Sequence, residues 1–489
     1  MSAALRRTCA RHPGLVGFPL LLLLVWLSRP AYWRAPLQND AGQYLYVGQA
    51  ILDGQAPYSD AANNKGPLLY LVFALIKLIA QEHTILVRGA VTLTLALAAL
   101  AVAGYVARAA GRAAGALAGV ALAIFTGAVV MQAEDVNSEQ IGLAPMAGAW
   151  YLATRRGAWW AAAAGAAAAA AVAVNVIFLL VVPIVAWELL RSAAPNARAR
   201  LLRLGCGIVG ALAVLGAFAL WLALAGALDD FVDVVFDRVR SAGATSGLRG
   251  RDWTGDLGIH RFFNWPAGGL WAAGLLGGLI AARERHLRAP AIAAVAWIVL
   301  VIARIKLTSY EYPHHYVLGL PGISAGVALG AASLWRTRLV DRALLAALLI
   351  TALAWPYVVA PQFSALRVPS YALYGGPLGV FARGPAIAEY LRSQTTPQER
   401  IQNRYHPELY WLSGRRSPSR FFDDYTSEWN AAWVAEQRRD LLAAPPRAIV
   451  VMQDEQPSPA IEELLRTEPY RLTFTDSGNR VWLLGGERR

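Results

Sequence analysis

The residues able to do chemistry in this chain are few, and they fall at the edges of apolar runs. Asp40 stands in Asn39-Asp40-Ala41-Gly42-Gln43-Tyr44, just past the first such run at 15–27. Glu134, Asp135 and Glu139 make an acidic turn between two later runs. His314, His315 and Tyr316 open another, behind Arg304 and Lys306. Lys65 lies in the turn Asn63-Asn64-Lys65-Gly66-Pro67, and lysine occurs otherwise only at 77 and 306. A carboxylate at such an edge can take a proton from a hydroxyl. Two acidic loops, with Asp40 in one and Glu134 and Asp135 in the other, can hold a divalent cation or orient an acceptor. Oxygen-only ligation suits Mg2+ or Mn2+. Lys65, Arg304, Lys306, His314 and His315 can neutralise a phosphate. Tyr44, Tyr58 and Tyr316 supply rings of the kind that meet sugars or bilayer surfaces.

Each group also has a plainer reading. Asp is a favoured N-cap, so Asp40 can simply start a helix near residue 41. The acids at 134–139 can be a solvated turn, Lys65 a solvated cation, and the histidines hydrogen-bonding groups at an interface. Neighbours on an α-helix diverge by about 100°, so at most one of His314 and His315 should face inward. Spacing alone leaves these readings open.

The chain around them is 56% hydrophobic and 16% charged over 489 residues, against about 25% charge in a soluble chain. That composition predicts an α-helical polytopic membrane protein. The formal charge of +13 invites a nucleic-acid reading, but the arginines cluster between apolar runs. That is the positive-inside pattern, and it sets nucleic acid aside. Cutting at those clusters, with about 20 residues to a span, predicts spans at 15–27, 85–107, 114–131, 141–153, 159–174 and 176–190. Further spans follow at 204–227, 265–282, 291–303, 317–334 and 343–360, about eleven in all. The first reads as a retained signal anchor. Residues 41–52 and 68–80 read as interfacial amphipathic helices, and 228–264 as a polar loop. This count places the N-terminus in the cytoplasm, and Asp40, the 134–139 turn, the histidine pair and the tail outside it. Cys9 and Cys206 are poorly placed to pair or to ligate a metal.

Past residue 361 the composition turns polar. Helical stretches at 384–392, 430–443 and 458–467 alternate with strand-like ones at 400–405 and 448–452. A closing hairpin, 472–475 with 481–484, turns at Asp476-Ser477-Gly478-Asn479. The alternation predicts a small extracytoplasmic α/β domain, so two domains are expected, 1–360 and 361–489.

At the first polar loop the chain resembles a family. Asp40 with Tyr44, Ala50-Ile51-Leu52-Asp53-Gly54, Pro57-Tyr58-Ser59-Asp60 and Lys65-Gly66-Pro67-Leu68-Leu69-Tyr70 are similar to the first external loop of bacterial GT-C glycosyltransferases. The branch is that of protein O-mannosyltransferases and lipid A aminoarabinose transferases. The acidic turn, Pro313-His314-His315-Tyr316 with Leu320-Pro321, and the small tail agree with it. The resemblance implies a polyprenyl-phosphate sugar donor, an extracytoplasmic glycan, lipid or protein acceptor, and a place in the bacterial inner membrane. It makes Asp40 the catalytic base, Glu134 and Asp135 the second acidic position, and Lys65 the base near the lipid phosphate. Two departures stand out. Asn39-Asp40 replaces a pair of acids, and Asn175 stands where many relatives carry a lysine. The second raises the weight on Lys65, Arg304 and Lys306 as phosphate ligands.

The expected reaction is an inverting sugar transfer, with no cofactor beyond a divalent cation. A transporter or flippase of lipid-linked sugars would instead call for internal repeats and mid-span charges. The chain shows no convincing repeat, and its ionisable residues gather at one face. A non-catalytic glycan-assembly subunit is the remaining alternative.

Overall fold

A computed structural model describes residues 13–29, 32–33, 36–81, 83–127, 136–192, 196–245, 268–307, 313–335, 383–428, 430–452 and 455–485. Among the described residues, four helices are long and apolar enough to cross a membrane: Thr84–Ala110, Ala197–Leu224, Arg288–Ile305 and His314–Leu334. Gly17–Leu27, Pro67–Ala80, Arg112–Phe125, Ala158–Val174 and Gly269–Ala281 are shorter apolar helices. The span expected at 343–360 lies outside the described residues. The break expected at Asn175 is present: a 3-10 helix, Val176–Val181, separates Ala158–Val174 from Val182–Arg191. The polar loop expected at 228–264 instead begins as a helix, Leu228–Thr245. Its acids, Asp229, Asp230 and Asp233, are spaced along an amphipathic helix, and a count of charges alone takes that for a loop.

The described chain packs as two units. The first takes residues up to 34, 88–217 and 246–373. Here helices approach through small residues, as expected where lipid offers no hydrophobic drive and packing must hold helices together. A Cβ on Gly165 would lie 1.8 Å from the Gly207 carbonyl oxygen, and one on Gly277 2.4 Å from that of Gly326. At one end Arg203 donates to the carbonyls of Ala153 (3.0 Å), Arg155 (2.8 Å) and Leu189 (3.2 Å). A cation on carbonyls left over at helix C-termini also complements their dipoles.

The second unit takes 35–87, 218–245 and 374–489, so the tail packs with the first loop and with the helix at 228–245. Its sheet runs β1 (Ile401–Asn403), β2 (Ala448–Val451), β4 (Asn479–Leu484), β3 (Tyr470–Asp476). The first pair is parallel and the others antiparallel. Ile449 and Val451 of β2 bury against Leu441, Ile461 and Leu464 from helices Ala431–Ala443 and Pro459–Thr467. The helices and hairpin expected in the tail are therefore present. Helix Glu408–Ser413 lies directly on helix Asn39–Leu52: a Cβ on Gly42 would sit 2.2 Å from the Glu408 amide nitrogen. Arg420 ties the unit together, donating to Asp230 (2.6 Å) and, through both edges of its fork, to Glu436.

Candidate functional site

The candidate groups gather in two clusters, one in each unit. In the tail-bearing unit, helix Asn39–Leu52 begins after Gln38, whose extended backbone caps it without a side-chain bond. Asp40 is thus not the cap that its sequence position allowed. It stands in the first turn, where the helix dipole favours an anion. One turn on, the Tyr44 hydroxyl donates to Asp40 Oδ2 at 3.0 Å. The carboxylate is half-buried and has no other partner among the described residues. A carboxylate oriented by one donor, with an oxygen left open, is suited to accept a proton.

A chain of hydrogen bonds fixes the ground beneath it. Asn39 donates to the Tyr405 carbonyl (2.7 Å), and Gln43 donates to Asn39. Asn63 donates to Gln43 (2.6 Å), Tyr70 to Asn63 (2.6 Å), and the Lys65 amide to Tyr70 (3.0 Å). Tyr58 closes the chain by donating to the Lys65 carbonyl at 2.8 Å. Each buried polar group has its partner, the condition under which such a network rigidifies a core. Tyr58 takes a left-handed backbone, φ 71°, which a non-glycine residue adopts at a cost. Burial pushes its hydroxyl well above the ordinary tyrosine range, so it stays a donor. The Lys65 ammonium is half-exposed and makes no ion pair among the described residues.

These contacts correct the role expected of two rings. Tyr44 packs on Phe73 and Tyr58 between Tyr70 and Phe231, both fully buried. With their rings enclosed by protein, they hold the loop and Asp40 in place, and neither offers a sugar a stacking face.

In the helical unit, Glu139 lies in the first turn of helix Ser138–Ala153 and is wholly buried. Asn175, extended between two helices, accepts from the Ile177 amide (3.1 Å) and donates to Glu139 Oε1 (3.0 Å) and Ser138 Oγ (2.9 Å). Ser138 donates to the other Glu139 oxygen at 3.1 Å. The histidines lie on a 3-10 helix, Pro313–Gly319, moored where the Trp297 indole donates to the Leu318 carbonyl (2.7 Å). His315 Nε2 is 4.0 Å from Glu139 Oε1. One ligand atom each from Glu139, His314 and His315 fall within 4.8 Å of one another. His315 is buried and His314 half-buried, and both reach the neighbourhood of Glu139 although adjacent residues on a 3-10 helix diverge by about 120°. Arg304 is half-buried near the end of helix Arg288–Leu307. Tyr316 is buried against Trp271.

Glu134, Asp135 and the Lys306 side chain lie outside the described residues. The one acidic-histidine cluster among the described residues that fits a cation is Glu139, His314 and His315, and Asp40 is not in it. Sequence reasoning did not find Gln43, Asn63 or Ser138. An amide at i and i+4 (Asn39, Gln43) beside a second polar pair at 63–64 was the available signal. Asn175 was noticed only for lacking a positive charge.

No family model matches the chain, and no curated protein does. Solved structures do. ArnT from Cupriavidus metallidurans bound to undecaprenyl phosphate superposes with TM-score 0.61 at 16% identity, over 97% of this chain and 100% of that one. ArnT in the apo state gives 0.58 at 16% identity, over 98% and 100%. The Archaeoglobus fulgidus oligosaccharyltransferase tethered to an acceptor peptide gives 0.53 at 13% identity, over 91% of this chain and 69% of that one. The same enzyme in complex with Zn and sulfate gives 0.52 at 12% identity, over 89% and 67%.

Proposed function

On a chain with the multi-pass membrane fold of the GT-C glycosyltransferases, we propose an inverting transfer of a sugar from a polyprenyl-phosphate donor to an acceptor hydroxyl outside the cytoplasm. Asp40 takes the hydroxyl proton as the oxygen bonds to the anomeric carbon. The bond from that carbon to the phosphate oxygen breaks, and polyprenyl phosphate leaves with the electron pair. The observation that carries this reading is the Asp40 carboxylate, aimed by Tyr44 from the first turn of a helix and left open on one side. The undecaprenyl phosphate in one structural neighbour and the acceptor peptide in another support the substrate classes. The transferred carbon becomes oxocarbenium-like, and the negative charge that grows on the departing phosphate calls for a fixed cation. Lys65 is the cation assigned to it.

The donor set of Glu139, His314 and His315 fits a divalent cation. Two imidazoles with a carboxylate suit zinc better than the Mg2+ or Mn2+ that oxygen ligands alone would favour. A cation bound there would supply positive charge to a phosphate oxygen. Asn175 and Ser138 hold the Glu139 carboxylate through both oxygens, as second partners of a ligand do. The cytoplasmic N-terminus, the external tail and the bacterial inner membrane belong to the same reading.

The test is transfer by the purified full chain from a panel of polyprenyl-phosphate sugars, with mass spectrometry of the products. A glycosylated acceptor with inverted configuration is expected from at least one donor. Transfer from nucleotide sugars alone would overturn the reading.

A further inference from the structure

The tail holds a buried histidine that the transfer reaction leaves unused. His406 is 4% exposed, and the two carboxylates that face it, Glu408 and Glu455, are 1% and 8% exposed. Its Nδ1 lies 2.8 Å from Glu408 Oε1 and its Nε2 3.5 Å from Glu455 Oε1. An imidazole that meets a carboxylate through each nitrogen is gripped at both ends of the ring. Each partner brings its own segment. The Glu455 side chain accepts from the Met452 amide (3.3 Å), just past β2, and Glu408 stands in the first turn of helix Glu408–Ser413. The His406 amide donates to Asn403 Oδ1 at 2.9 Å, at the end of β1. One residue thus ties the ends of two paired strands to a helix.

The residues on either side of His406 are the ones that touch the helix bearing Asp40. On one side the Tyr405 carbonyl accepts from Asn39, the neighbour of Asp40, at 2.7 Å. On the other, the ring of Pro407 restricts the chain and leads it into Glu408, whose amide nitrogen leaves no room for a Cβ on Gly42. Both contacts use backbone atoms of the tail, so a shift of residues 405–408 moves both at once. The grip on the imidazole decides where those residues stand.

We propose that His406 is a positioning residue for the transfer: held by Glu408 and Glu455, it clamps the tail onto helix Asn39–Leu52 and sets Asp40 against the acceptor hydroxyl. This rests on the reading of Asp40 as the base. The full chain in detergent is assayed with its polyprenyl-phosphate donor, with rates taken per folded protein. His406→Ala should lower kcat by about tenfold and leave the donor KM in place. Asn39→Ala should cost about the same, and the double variant no more than either, because both break one connection. Losses that multiply to about a hundredfold would show two separate effects and overturn the proposal, as would a folded His406→Ala with wild-type kcat. Where His406→Ala does not fold, position 455 decides. Glu455→Gln keeps a bond to the ring and should hold kcat within about twofold, whereas Glu455→Ala should lower it by about tenfold; equal kcat in the two overturns the proposal. Amide exchange reads the clamp with no donor present. Helix Asn39–Leu52 should exchange faster in His406→Ala and in Glu455→Ala, with Thr84–Ala110 unchanged. Unchanged exchange in Asn39–Leu52 overturns the clamp, whereas a wild type that transfers from no donor overturns the transfer reading and leaves the exchange to decide the clamp.

Discussion

Asp40 and Glu139 are both the second residue of a helix, each an acid in a first turn, and they are treated in opposite ways. Glu139 is wholly buried, with one oxygen accepting from Asn175 and the other from Ser138, and two imidazoles stand beside it. Asp40 is half-buried and, among the described residues, accepts from Tyr44 alone. The same dipole acts on both, so the difference lies in what surrounds them. On the proposed reading, the carboxylate held by two donors is the one that binds and the partly open one is the one that takes a proton.

Removing the imidazoles should have the largest effect. His314→Ala with His315→Ala should abolish zinc in the purified protein by elemental analysis, whereas Asp40→Asn should leave the metal content unchanged. Metal lost equally from both variants would erase the distinction.

A pH response of the tail-bearing unit comes next. Burial raises the Asp424 carboxyl to about 7, against the bonds from Gln437 and the charge of Arg404 that favour its ionised form. Its unfolded value is near 4, so the folded state holds the proton more tightly. Stability should then fall as pH rises from about 4 to about 7, by up to about 4 kcal/mol. Asp424→Asn should flatten that slope in thermal melts followed across the window.

Asn63→Ala interrupts the amide chain beneath Asp40 and takes one hydrogen bond from each of Gln43 and Tyr70. The cost should be about 1–3 kcal/mol in unfolding free energy, with turnover reduced further than stability alone explains. Tyr44→Phe keeps the buried ring and removes the hydroxyl that donates to Asp40. It should lower turnover by about tenfold and leave the melting temperature and the zinc content in place.

Much of this arrangement was legible from local pattern. Apolar runs cut by arginine clusters placed the described apolar helices to within about seven residues, and the break at Asn175 and the hairpin at Asp476-Ser477-Gly478-Asn479 were visible as such. The acids and histidines were recognisable because ionisable residues are costly beside lipid. What escaped depended on tertiary partners. Tyr58 reads as an exposed aromatic until Phe231, far along the chain, encloses it. The Asn39–Gln43–Asn63–Tyr70 chain joins a helix to a turn and ends on a tail carbonyl at Tyr405. His314 and His315 both come near Glu139 although the 3-10 helix they occupy turns adjacent residues about 120° apart, so their meeting is a matter of tertiary placement.

The most direct test of the difference between the two carboxylates is single-turnover transfer by wild type and Asp40→Asn, at saturating donor, with both proteins shown to be folded. The asparagine keeps the shape and the Tyr44 contact but cannot take a proton. Turnover should fall by about 10²–10⁴ with donor affinity unchanged. Transfer within a few-fold of wild type would show that Asp40 is not the base.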